Sequence, residues 1–102
     1  MHDFNLPAIP EICRRWKIAT LWLYGSAARG ELKPDSDINL LVAFEPGVVP
    51  DLDELDRLEE ELFPVFGRPI DLLTKGSIRN PFLRASIEKD LKVLYAAPHP
   101  AP

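Results

Sequence analysis

The stretch Ile18-Ala19-Thr20-Leu21-Trp22-Leu23-Tyr24-Gly25-Ser26, followed after a polar loop by Asp37-Ile38-Asn39-Leu40-Leu41-Val42-Ala43-Phe44, decides how this chain folds. Ile18 to Tyr24 is rich in β-branched and aromatic residues and reads as a strand. Gly25-Ser26 breaks it. Ala27-Ala28-Arg29 fits a single helical turn ended by Gly30, and Glu31 to Ser36 is a polar loop containing Pro34. Asp37 to Phe44 reads as a second strand. Its nearly continuous apolar content marks a strand covered on both faces, hence a central one.

Working outward, Pro7 to Lys17 reads as a helix with Ile12, Trp16 and Ala8 near one face. Proline is tolerated only in a first turn, so Pro10 allows the helix to begin there. After a loop over 45–50, Asp51 is an N-cap, and Glu54 three residues on completes a capping box. Leu52, Leu55, Leu58 and Leu62 then follow at helical spacing, which predicts a helix to about Leu62 that Pro64 ends or kinks. Ile70 to Thr74 is a short third strand, apolar except for Asp71. Asn80-Pro81 supplies a cap and a first helical residue for a helix from Phe82 to about Asp90. Leu91 to Tyr95 fits a fourth strand at a sheet edge. Strands alternating with helices give an α+β class with α/β-like order: a mixed sheet of three to four strands with flanking helices. One domain over residues 1–97 is expected, with a flexible proline-rich tail over 98–102.

The composition narrows the function classes. A chain of 102 residues holds one modest core. Hydrophobic residues at 46% with a net charge of −4 exclude whole-chain disorder. No apolar run approaches the ~20 residues of a membrane span. Met1 to Asn5 lack the basic start and apolar core of a secretory signal. The single Cys13 cannot form an internal disulfide, nor a zinc site with only His2 and His99 at opposite chain ends. A cytoplasmic protein follows. Twelve basic against sixteen acidic residues argue against direct binding to a nucleic-acid backbone.

The chemistry-bearing residues cluster in the opening stretch and in the third strand. Glycine permits close approach of backbone to ligand, and free amides beside the Ser26 hydroxyl can hold phosphate oxygens. Taken alone, Gly-Ser after a strand is usually just a turn, so Gly25-Ser26 by itself is a weak signal. Asp37 and Asn39, two apart, share a face of their strand. Asp71, within an apolar run, is expensive if buried without a partner, and magnesium would be such a partner. Singly, Asp37 fits a turn cap and Asp71 an exposed strand end; together the residues point to a metal and phosphate site.

That combination resembles the nucleotidyltransferase superfamily with the DNA polymerase β-type palm. Leu23 to Glu31 followed by Pro34 to Val42 looks like its Gly-Ser turn and acidic strand. Arg68-Pro69-Ile70-Asp71-Leu72-Leu73 looks like its third-carboxylate strand. The likeness covers about Pro7 to Ala96. The small size further resembles the minimal nucleotidyltransferases, the group that includes antitoxins paired with HEPN-domain ribonuclease toxins. Larger relatives carry substrate-binding domains for which this length has no room.

The resemblance implies a nucleotidyltransferase palm that transfers AMP from ATP to a hydroxyl, commonly a tyrosine on the partner toxin, neutralising it. It implies that Gly25, Ser26 and Arg29 hold the nucleotide. It further implies that Asp37, Asn39 and Asp71 form the catalytic set for two Mg²⁺ ions, which stabilise the attacking and leaving oxygens. The chain departs from the pattern at Asn39, where the family usually has aspartate. The cluster's formal charge falls from −3 to −2, which weakens metal binding. The alternative is therefore a catalytically impaired module that neutralises its partner by complex formation alone.

Other residues have plainer readings. Lys33 is a solvated cation and Ser36 a loop hydrogen-bonder. Trp16, Trp22, Phe63 and Phe66 belong to the core or to a partner or dimer interface. The seven carboxylates between Asp51 and Glu61 form the wet face of the leucine-striped helix. Cys13 is a small buried apolar group.

Overall fold

The computed structural model describes residues 4–98. His2, His99 and all of the expected tail beyond Pro98 lie outside the described residues. A 3-10 turn over Leu6–Ala8 leads into α1 (Ile9–Trp16), which places Pro10 in the first turn. Lys17 then reverses the chain in the left-handed conformation, at φ 56°. Strands β1 (Ile18–Tyr24) and β2 (Ile38–Phe44) follow, then α2 (Leu52–Phe66), β3 (Ile70–Thr74), α3 (Pro81–Glu88) and β4 (Lys92–Ala96).

The four strands form one mixed sheet in the order β3-β2-β1-β4. β1 is antiparallel to both β2 and β4, while β2 and β3 run parallel across the α2 crossover. β2 is thus central and β4 an edge, as their compositions predict. Ile38, Leu40 and Val42 from β2 and Leu21 and Leu23 from β1 face α1 and α2. There they pack on Ile9, Ile12, Cys13, Leu58, Leu62, Val65 and Phe66. This is the main core. The opposite face holds a smaller cluster, Leu41 with Ile78 and Ile87, beneath α3.

Two helix starts form as expected. The Asp51 carboxylate accepts from the Glu54 amide at 2.8 Å, and the Glu54 carboxylate accepts from the Asp51 amide at 3.1 Å. Asn80 Oδ1 accepts from the Phe82 and Leu83 amides. Three expectations need correction. Helix α2 continues through Pro64 to Phe66, because Val65 and Phe66 are buried in the core and tie down the last turn. Gly67, at φ 69°, ends it instead. Leu52 lies outside the leucine stripe and is exposed. Strand β2 begins at Ile38, one residue later than expected, because the ladder to β3 starts with Ile38 opposite Ile70. Among the described residues no helix is long and apolar enough to cross a membrane.

Candidate functional site

The site lies where β1 ends and where β2 and β3 begin. After Tyr24 the backbone turns left-handed at Gly25, φ 76°, and again at Gly30, φ 74°. Between them the Arg29 amide donates to the Gly25 carbonyl at 3.2 Å, a single helical turn. The Glu31 amide donates to the Ser26 carbonyl at 2.8 Å and closes the loop. Ala27 and Ala28 anchor the turn against the main core. A side chain at position 25 is excluded twice. Positive φ disfavours it, and a Cβ there would sit 2.6 Å from the amide nitrogen of Asn39.

Sheet pairing then draws a polar row across three strands. Tyr24 of β1 is opposite Asn39 of β2, and Asn39 is opposite Asp71 of β3. Ile38 is wholly buried towards α1 and α2. Its neighbours Asp37 and Asn39 therefore fall on the other face, by the period-two rule. The next row on that face, Trp22, Leu41 and Leu73, lies in the cluster beneath α3. Helix α3 thus covers the middle of this face and leaves the polar row at its end. Asp37, Asn39 and Asp71, predicted to act together, are brought to one place beside the Gly25-Ser26 turn.

The electrostatics follow from this placement. Asp37 and Asp71 are exposed and Asn39 is half-buried. Asp71 therefore carries none of the burial cost its apolar neighbours suggested, because β3 is an edge strand. Burial, and then the negative charge of Asp71, push the Tyr24 phenol above its ordinary pKa, so it stays a protonated donor. Burial, followed by Asp56 and Asp71, raises the Glu59 carboxyl. The two carboxylates and the amide oxygen of Asn39 are all hard oxygen donors. They fit magnesium when phosphate oxygens and water complete its shell. Among the described residues no group of three or more His, Cys, Asp or Glu side chains is placed to hold a metal ion. Asn39 is the reason that this row supplies two carboxylates rather than three.

Arg68 has a positioning role that the sequence alone did not reveal. Its guanidinium donates to the carbonyls of Lys33 at 2.6 Å, Pro34 at 3.0 Å and Ser36 at 3.3 Å. The Ile38 amide also donates to the Pro69 carbonyl at 2.9 Å. The loop before Asp37 is therefore clamped to the segment before Asp71. An Arg-Pro pair ahead of a strand carries no local sign of such a clamp. Ser36 bonds within this loop, accepting from the Lys33 amide at 3.1 Å. Arg29 forms ion pairs with Glu31 at 2.6 Å and Asp90 at 3.0 Å, and so faces carboxylates.

The remaining singled-out residues are structural. Phe66 packs edge-on against Phe4 at 4.9 Å. Trp16 donates from its indole nitrogen to Glu61 at 2.6 Å, which ties α1 to the acidic face of α2. Trp22 lies 5.2 Å beneath the Lys75 ammonium. Phe63 is about half exposed. Cys13 is fully buried, and burial pushes its thiol up to about 12, which removes it from thiolate chemistry.

The nucleotidyltransferase domain family matches residues 8–94. A Methanocaldococcus jannaschii protein, named as a candidate protein adenylyltransferase, is 42% identical over 95 residues, spanning 85% of this chain and 95% of the relative. The protein adenylyltransferase MntA of Thermococcus cleftensis is 37% identical over 70 residues, 69% of each chain. Among solved structures, the fold matches a chain in the complex of the tri-AMPylated Shewanella oneidensis HEPN toxin with an MNT antitoxin. That match has a TM-score of 0.66 at 20% identity and covers 91% of this chain and 71% of the other.

Proposed function

We propose a function from one premise: the chain belongs to the nucleotidyltransferase domain family. It is a protein adenylyltransferase of antitoxin type. It moves AMP from ATP to a hydroxyl on a HEPN-domain toxin and thereby neutralises it. The observation that carries this reading is the row in which Asn39 opposes Asp71, with Asp37 beside it on the same face and the Gly25-Ser26 turn next to it.

The residues divide the work. Backbone amides of the Gly25-Ser26 turn and the Ser26 hydroxyl donate to the triphosphate, and a side chain on residue 25 would collide with Asn39 beside that turn. Arg29 is exposed, and surface ion pairs such as those it makes with Glu31 and Asp90 are weak, so a triphosphate can draw it away. Asp37 and Asp71 hold magnesium, with Asn39 adding a neutral oxygen. Bound magnesium neutralises charge on the phosphates and makes the acceptor hydroxyl easier to ionise. The acceptor hydroxyl gives its proton to solvent, its oxygen attacks the α-phosphorus in line, the bond to the oxygen bridging the α- and β-phosphates breaks, and pyrophosphate leaves. Arg68 keeps Asp37 and Asp71 in fixed relation throughout. We place the reaction in the cytoplasm, where ATP is supplied and the buried Cys13 thiol stays reduced.

The test uses α-labelled ATP, magnesium and the HEPN-type protein encoded beside this chain. Label on that protein is the expected result, and it grows stronger with the Asn39→Asp form. Absence of label with both forms overturns the reading. Asn39 itself favours a second reading, neutralisation by binding alone. That reading expects label only from Asn39→Asp, together with a stable complex that the unaltered chain forms without ATP.

A further inference from the structure

We infer that this chain binds its nucleotide with a single divalent ion, and that Asn39 acts as a hydrogen-bond donor to the phosphates where a second ion would otherwise sit. The inference rests on the nucleotide site proposed above and concerns its metal count, which the resemblance alone sets at two.

Asn39 is the central member of the row: Asp71 lies directly across from it and Asp37 flanks it beyond Ile38. A carboxylate there can share its oxygens between two ions. An amide has one oxygen, no formal charge and two N–H donors. In this structure its nitrogen is the end turned towards the turn, 2.6 Å from the place a Gly25 Cβ would occupy. The donor end therefore lies against the backbone over which a triphosphate would run. A carboxylate in the same place would aim negative charge at the phosphates and need a cation between them. The amide removes the repulsion and leaves one neutral oxygen in place of two charged ones, too little to hold a second ion. The charge balance agrees. Asp37 and Asp71 supply −2, enough to anchor one Mg²⁺, and Arg29, on the turn that follows Gly25-Ser26, can offset remaining phosphate charge once it is drawn from Glu31 and Asp90. The acid that feels Asp71, Glu59, and its neighbour Asp56 belong to α2, on the opposite side of the sheet from the row.

The experiment counts ions rather than turnover. The full chain and Asn39→Asp, an isosteric change, are each loaded with Mn²⁺ and an ATP analogue whose α,β-bridge is methylene, and the complexes are weighed by native mass spectrometry. One ion per nucleotide is expected for the chain and two for Asn39→Asp. In parallel, analogue affinity is measured in a chelator. The chain should bind about tenfold more tightly than Asn39→Asp without metal, since it gains a donor to a charged group and loses a repulsion. The order should reverse when Mn²⁺ is added. Two ions in the unaltered chain, one ion in both forms, or equal metal-free affinities would each overturn the inference while leaving the nucleotide site standing. Failure of both forms to bind the analogue under any condition overturns the site and the inference together.

Discussion

The two faces of the sheet are built from the same strands and do opposite things. On one face Leu21, Leu23, Ile38, Leu40 and Val42 are all nearly or wholly buried beneath α1 and α2. On the other, alternate residues of those strands run from an apolar row, Trp22, Leu41 and Leu73, to a polar one, Tyr24, Asn39 and Asp71. The difference is a matter of cover. Two helices close the first face. Among the described residues, the second is covered by the 8-residue α3, with Ile87 as its one buried residue, and by Ile78 before it, and its polar end stays open. Burial provides stability on one side and openness provides a site on the other. Because side chains alternate, each strand serves both.

The largest effects should separate the faces completely. Asp71→Ala on the open face should lower AMP transfer by at least about 100-fold, the usual loss when a group that stabilises transition-state charge is removed. It should change unfolding free energy by no more than about 0.5 kcal/mol, as exposed substitutions do. Leu40→Ala on the closed face should do the reverse, costing about 2–5 kcal/mol through lost burial and a cavity. Urea titration of both variants beside the transfer assay measures the contrast. A stability loss in Asp71→Ala as large as that in Leu40→Ala would erase the distinction.

Arg68→Ala sharpens the comparison at the seam between the faces. It frees the carbonyls of Lys33, Pro34 and Ser36 to water, so the expected stability cost is only about 1 kcal/mol, typical of a hydrogen-bonded surface group. Transfer should fall further than that figure implies, because Asp37 loses its fixed relation to Asp71. Amide exchange over residues 33–37 should speed up in the same variant. Unchanged exchange there would remove Arg68 from the positioning role.

The smallest effect concerns pH. Burial and two nearby carboxylates raise Glu59, so its folded pKa lies above its unfolded one. The folded state then holds its proton longer, and stability is lost as pH rises through that interval. Glu59→Gln should therefore raise Tm at pH 7, and only slightly, because solvent screens most of the repulsion at this largely open site. At a pH below both values the gain should vanish. Calorimetry at the two pH values checks the sign.

The local elements were legible because their signals are local. The Asp51-Glu54 box, the Asn80-Pro81 start and the apolar runs of β1, β2 and β3 each need only a few adjacent residues, and each formed where it was expected save the first residue of β2. The grouping of Asp37, Asn39 and Asp71 on one face was half legible. Period two relates Asp37 to Asn39, but nothing in the sequence places Asp71 opposite Asn39. That register depends on β2 and β3 being parallel and adjacent, which the α2 crossover and its buried Leu58, Leu62, Val65 and Phe66 enforce.

The sequence by itself determined the run of elements, the amphipathic stripe of α2 and the set of residues that can carry phosphate and metal chemistry, since each is fixed by side-chain type and short spacing. Tertiary structure alone decided the strand order, the passage of α2 through Pro64, the exposure of Asp71 at an edge, the Arg68 clamp and the Asn39 amide against Gly25. These contacts join residues 14 to 35 positions apart or depend on which face is covered. Packing of the whole chain, rather than any local preference, selects them.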